Sequence, residues 1–225
     1  MWPYDYAREN ETSLLWVSEG FSDYYGLLAR LRAGVSAGNA CCASDSMFLG
    51  VTASRIAGVE ANDARHYQSL ADASTSAWLG YDTPQAFSVD YYGGGHVIAT
   101  LLDVMLRRDT RGERGLDDVM RRLWEISYRA GRGFTTEDVV AALHTVSGRD
   151  YGDFIRRYVE GTEVPPYDSI FAAVGYRLEF DGRSASDGPR ATTTSPVVEM
   201  TAKFVDVPSP TAEQMAIRKA WLSSR

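Results

Sequence analysis

Histidine is scarce in this chain, with three in 225 residues, at positions 66, 96 and 144. None lies four residues from another, the helical spacing that sets two imidazoles side by side, so the histidines do not form a zinc helix of the His-Glu-x-x-His kind. Cysteine is scarcer still. Cys41 and Cys42 are adjacent, a spacing that closes a disulfide only under strain, which excludes a disulfide scaffold. No apolar run approaches the roughly 18 residues that a membrane helix needs, so no membrane span is expected. Basic residues are outnumbered, 23 Lys and Arg against 30 Asp and Glu, and the net charge of -7 argues against a nucleic-acid partner. Nucleotide and serine-hydrolase signatures are missing as well. Gly93-Gly94-Gly95 matches neither a dinucleotide fingerprint nor a P-loop, and there is no Gly-x-Ser-x-Gly elbow. The first residues show no basic start followed by an apolar run, so no signal peptide is read there and the compartment stays unknown.

What the chain does have is helical periodicity. Leu14, Val17, Phe21, Tyr24 and Leu28 recur at the spacing of a helix over about 11–33, with Asn10 or Thr12 as caps and Gly34 as a stop. Further helices are predicted over 47–59, 69–79, 91–108, 116–128, from Thr135 onward, and over 150–160. Thr135 and Asp138 have the spacing of a capping box, and so do Thr211 and Gln214 at the head of a last helix that ends near Trp221. Three glycines inside a helix cost about 1 kcal/mol each relative to alanine. Gly93–Gly95 are therefore read as lying in the turn before the helix, or as letting another backbone come close. The helical run is predicted to stop at Pro165-Pro166. Beyond it 176–180 and 197–207 read as short strands, joined by a Ser-, Gly- and Thr-rich loop over 181–195. The expected fold class is thus mainly α, a helical bundle with a short β-containing tail, divided into residues 1–176 and 177–225.

Few residues are placed for chemistry. Glu19 lies inside the most apolar helix, where an unpaired buried carboxylate is costly. Three readings stay open at this point: a solvated residue on a polar stripe, a partner of an arginine, or a metal ligand. His144 reads as a surface residue, His66 as a loop residue, and His96 as a weak site candidate beside Tyr92. Tyr91 and Tyr92 head a helix, where a phenol can donate to a developing oxyanion or simply pack.

Together these segments resemble a family. Trp2-Pro3-Tyr4-Asp5-Tyr6 with Arg8-Glu9-Asn10, then Leu15-Trp16-Val17-Ser18-Glu19-Gly20-Phe21 with Tyr24-Tyr25, resemble the glycyl aminopeptidase family of zinc metallopeptidases, which often carry a PDZ domain and belong to the gluzincins. Gln68–Ser74 with Trp78, Tyr91-Tyr92, Leu116–Met120 with Leu123-Trp124, Gly133-Phe134-Thr135 and Tyr158–Glu163 follow in order, so the resemblance runs over about 2–176. It implies the C-terminal helical half of a thermolysin-like catalytic domain. It also implies that Glu19 is the third zinc ligand and that Tyr92, with Tyr91 as alternative, is the oxyanion donor. Gly94 stands where the family usually has lysine.

Two departures shape the functional expectation. The His-Glu-x-x-His helix, which supplies two zinc ligands and the general base, is not in these 225 residues. A PDZ domain would follow residue 176, where only a short strand-like stretch precedes the last helix. The chain is expected to be a peptidase fragment whose intact parent cleaves peptide substrates with zinc, and to be inactive alone, holding no zinc tightly. The alternative is a non-catalytic helical interaction module that kept the scaffold. A natural N-terminus upstream of Met1 is part of this expectation. So is self-association through a face around Leu15, Glu19 and Ser22.

Overall fold

The computed structural model describes residues 7, 10–35, 44–80, 88–184 and 198–223. The aromatic opening Trp2–Tyr6, Arg8, Glu9, Cys41 and Cys42 lie outside the described residues, and so does most of the predicted 181–195 loop. The fold is mainly α, with a short two-stranded antiparallel sheet.

Helix α1 spans Leu15–Ala33. It starts later than the periodicity predicts. Thr12 accepts a hydrogen bond from the Leu14 amide just before it but caps no helical turn. Gly34 ends it in the left-handed conformation predicted for it, at φ 64°. Helix α2 (Asp45–Glu60) begins at Ser44, whose side chain accepts from the Met47 amide. The single helix predicted over 69–79 is two short ones, α3 (Leu70–Thr75) and α4 (Ala77–Gly80). Helix α5 (Tyr91–Asp109) is the central post, and Gly93 to Val104 are all buried along it. It packs against α1, α2 and α3. It also meets α6 (Leu116–Ile126), α7 (Thr136–Ser147), α9 (Tyr167–Phe171) and α10 (Ala212–Leu222). The capping boxes Thr135–Asp138 and Thr211–Gln214 form as the sequence indicates.

Two predictions are corrected here. Gly93–Gly95 lie inside α5, which overturns the turn reading, while the other reading, a close approach of another backbone, holds at Gly95. The helical run does not stop at Pro165-Pro166. After α8 (Gly152–Tyr158) these prolines lead into α9, consistent with proline's fitness for the start of a helix.

The reason for the glycines is steric. A Cβ on Gly20 would lie 2.3 Å from the Gly95 Cα, and one on Gly95 would lie 2.2 Å from the Trp16 carbonyl oxygen. The backbones of α1 and α5 therefore touch. The two helices run in the same direction: Gly20 meets Gly95, Asp23 meets His96, Tyr24 meets Asp103, and both Arg32 and Arg107 approach Asp117 near their last turns.

A buried polar hub closes the far end. Asp103 accepts from Tyr24 Oη at 2.6 Å, Arg107 Nε at 3.0 Å and the Leu116 amide at 2.8 Å. Arg107 Nη1 donates to the Ala220 carbonyl, and Trp221 Nε1 donates to Tyr24 Oη. Burial, then the Asp103 carboxylate, raises the Tyr24 pKa well above its ordinary value, so the phenol keeps its proton as a donor. One hub thus ties α1, α5, α6 and α10.

The strands β1 (Tyr176–Ser184) and β2 (Val198–Asp206) pair antiparallel, Tyr176 opposite Asp206. Tyr176 and Leu178 face inward while Arg177 and Phe180 are exposed. Phe204 of β2 sits edge-on to Phe171 of α9 at 4.8 Å, and β2 lies against α2.

The helix–helix contact yields a paired prediction. Gly95→Ala should lower the unfolding free energy by about 3 kcal/mol or more, because backbone and not a flexible side chain must move. Gly26→Ala, on an exposed stretch of the same α1 where a Cβ meets nothing within 4 Å, should raise it by up to about 1 kcal/mol. Urea unfolding of both variants checks the contrast.

Candidate metal and active site

The parallel approach of α1 and α5 brings their N-terminal turns to one end of the molecule. Glu19 stands one helical turn before Asp23, and Tyr92 stands one turn before His96. Asp23 and His96 are bonded to each other, Oδ2 to Nδ1 at 3.0 Å. Glu19 and Tyr92 are thereby carried on adjoining helices at the same end.

Glu19 is half-buried, and it makes no hydrogen bond or ion pair among the described residues. The arginine-partner reading therefore has no support. Along the same face Leu15 is half-buried and Ser22 is exposed. Tyr92 is 44% exposed and stacked on Tyr91 with ring centroids 5.1 Å apart. The Asp90 carboxylate caps α5 just beneath, accepting from the Tyr92 and Gly93 amides.

The three histidines part company. His96 is fully buried, and both its nitrogens are engaged. A carboxylate can only accept, so Nδ1 carries the proton toward Asp23 and Nε2 accepts from the Thr52 hydroxyl at 3.2 Å. Burial lowers the imidazole pKa to about 4, with Arg55 adding to the effect and Asp23 opposing it. His96 is thus a neutral structural residue that pins α5 to α1 and α2, and its candidacy as a ligand is corrected accordingly. His66 lies in a short 3-10 turn (Asp63–His66) rather than a loop, and is exposed. His144 is exposed, as predicted, with Nδ1 against the Arg149 carbonyl.

No group of three His, Cys, Asp or Glu side chains comes together among the described residues. A zinc ion takes three or four protein donors. Glu19 offers one carboxylate, and Asp23 beside it is committed to His96 and to Arg55 Nη2 at 3.1 Å. These residues by themselves do not fit a zinc ion.

A cavity of about 590 Å3 adjoins Tyr92. Its walls are the face of α2 bearing Arg55 and Val59, the turn carrying Arg65, and the start of α5 from Asp90 to Gly93; Glu19 is not in its lining. Sequence reading pointed to Tyr92 but missed the arginines. The sequence signal for Arg55 is that Val51, Arg55 and Val59 recur along one face of α2; Arg65, in the turn after it, has none.

The profile of the M61 glycyl aminopeptidases matches residues 1–98. Across that segment the chain is similar to the M61 peptidases. The M61 segment includes α1 through α4 and the first turns of α5, hence both Glu19 and Tyr92. The chain is also similar to a solved aminopeptidase N family protein from Idiomarina loihiensis, with a TM-score of 0.69 and 25% identity; the match covers 79% of this chain and 30% of that one. The chain accordingly spans less than a third of that protein's length. No curated protein matches it.

The buried imidazole sets a pH dependence. Its folded pKa of about 4 lies below the ordinary 6.5. The unfolded chain therefore binds the proton more readily, and stability present above pH 6.5 is lost as pH falls toward 4, by up to roughly 3 kcal/mol. Unfolding free energies measured across that window should fall less steeply for His96→Gln than for the parent chain. Parallel pH profiles would count against this assignment.

Proposed function

We propose that this chain is the C-terminal helical part of a gluzincin-type zinc aminopeptidase catalytic domain, truncated before the helix that carries the two imidazoles and the general base. The observation that carries this reading is Glu19, a half-buried carboxylate without a bonding partner among the described residues, on an open face of α1. A carboxylate only accepts, and with no donor bonded to it among the described residues its oxygens are open to a cation. Glu19 is the carboxylate ligand in this reading. Tyr92, solvent-accessible at the head of the adjoining helix, donates to the tetrahedral oxyanion. The parent substrate is a peptide cleaved near its N-terminus, with glycine or alanine favoured by the family resemblance. The match over residues 1–98 supports peptidase ancestry; the metal, the residue roles and the inactivity of the isolated chain are our reading.

The test combines metal content with turnover. The 225-residue chain should purify without stoichiometric zinc and without hydrolysing glycyl or alanyl anilides. The same chain expressed with an in-frame upstream segment carrying His-Glu-x-x-His should gain both. In that longer protein Glu19→Gln should lose the zinc. Tyr92→Phe should keep the zinc and lower kcat about 100- to 1,000-fold. Tight zinc binding by the short chain, abolished by Glu19→Gln, would refute the truncation reading and point to a site rebuilt within these residues.

The same open face around Leu15, Glu19 and Ser22 is where a missing neighbour would pack. Uncovered apolar surface of this kind draws chains together. Sedimentation of the short chain should therefore show oligomers, and the longer protein should sediment as a smaller species. A clean monomer of the short chain would argue against an uncovered interface.

A further inference from the structure

The lining of the cavity beside Tyr92 holds more cationic than anionic side chains. The protein carries a net charge of -7, yet the cavity lining holds two guanidiniums, Arg55 and Arg65, and one carboxylate, Asp90, among the described residues. Asp90 is already spent on α5, since its oxygens accept from the Tyr92 and Gly93 amides. The counter-ions of the two arginines lie outside the lining, and each is shared. Asp23 takes Arg55 Nη2 together with His96. Glu60 takes Arg65 Nη2 at 3.0 Å together with the Tyr167 hydroxyl at 2.7 Å.

Donors remain. Arg55 uses only Nη2, and Arg65 uses Nε, on the Glu60 carbonyl, and Nη2. Nε and Nη1 of Arg55 and Nη1 of Arg65 have no partner among the described residues. The tethers to Asp23 and Glu60 hold both guanidiniums in place, so little side-chain entropy is left to lose when a ligand arrives. The same lining includes Val51, Val59, Ala73 and Val89 beside Ser54, Asn62 and Ser88. A volume of about 590 Å3 is that of a site for a small molecule or a short peptide segment.

We propose that this cavity is a carboxylate subsite, in which Arg55 and Arg65 receive a carboxylate of a short peptide lying past Tyr92. The carboxylate is the free C-terminus of the peptide or an acidic side chain within it. Its place in a substrate rests on the peptidase reading above, but the binding itself needs no metal and no turnover. Within that reading, the subsite selects short or acidic peptides by anchoring the end away from the scissile bond.

The probes are trialanine, trialanine amide and Ala-Asp-Ala amide, titrated into the 225-residue chain and followed by NMR shifts of α2 and of Tyr92. Trialanine, Ala-Asp-Ala amide or both should bind, and trialanine amide should bind about tenfold or more weakly than they do, the effect of losing a charge-assisted pair. Preference for trialanine assigns the terminal carboxylate, and preference for Ala-Asp-Ala amide assigns the side chain. Arg65→Gln should weaken the preferred probe about fivefold or more, with Arg121→Gln, an exposed arginine on α6, as the neutral control. Arg55→Gln should do the same. Should that variant fail to fold through loss of the Asp23 tether, Arg65→Gln and the acid-against-amide comparison on the parent chain decide the matter. Equal binding of acid and amide, no shift of these resonances with any probe, or full affinity in a folded Arg65→Gln would overturn the proposal. A longer protein that neither holds zinc nor turns over, beside a short chain that still prefers the acid, would instead sink the peptidase reading and leave the subsite standing.

Discussion

The backbone of α1 rests directly on that of α5 at Gly20 and Gly95, an approach that a single added methyl on either residue would prevent. The spacing of the two helices, and with it the position of every side chain they carry, follows from that contact. Glycine inside a helix is unfavourable on propensity, by about 1 kcal/mol each. Van der Waals contact between two backbones and the burial of the flanking Trp16, Phe21, Val97 and Ile98 offset that cost. The result is a rigid parallel pair whose N-terminal turns both face the same end.

Further along, the pair is locked by charge rather than by shape. Asp103 and Arg107 are each 1% exposed, and burying either alone would be costly. They are tolerated because they answer each other and are bonded to Tyr24, the Leu116 amide, the Ala220 carbonyl and, through Tyr24, Trp221. The hub brings the last helix onto the same core as the first. Arg218 on that last helix has a similar role for the hairpin, lying 3.6 Å above the Tyr176 ring and donating to the Val174 and Gly175 carbonyls.

Polar chemistry is therefore divided by depth. Inside, His96, Asp103 and Arg107 are satisfied and structural. At the N-terminal end of the helix pair, Glu19 stands half-buried and without a bond among the described residues, Tyr92 is accessible, and two tethered arginines face a cavity. The M61 segment contains all of these except the inner hub. Surfaces that carry chemistry in this protein are thus gathered where α1 and α5 begin, and the parts that hold the fold together are gathered where they end.

Elements built from nearest neighbours were legible in the amino-acid order. Helical periodicity located α1, α2 and α5 to within a few residues, Gly34 ended α1, and the boxes Thr135–Asp138 and Thr211–Gln214 announced two helices correctly, because such signals act over four residues or fewer. Glu19 and Tyr92 were singled out by an apolar setting, a helix start and a family resemblance. Tertiary packing alone decided whether Gly93–Gly95 belonged to a turn or a helix, which histidine was sealed inside, and that Arg55 and Arg65 would line one cavity. Those outcomes depend on partners far away along the chain: Tyr24 and Asp103 are 79 positions apart, and Trp221 reaches Tyr24 across 197. Local propensity carries no information about such distances, and the free energy that settles them comes from burying and satisfying groups that meet only once the chain has closed on itself.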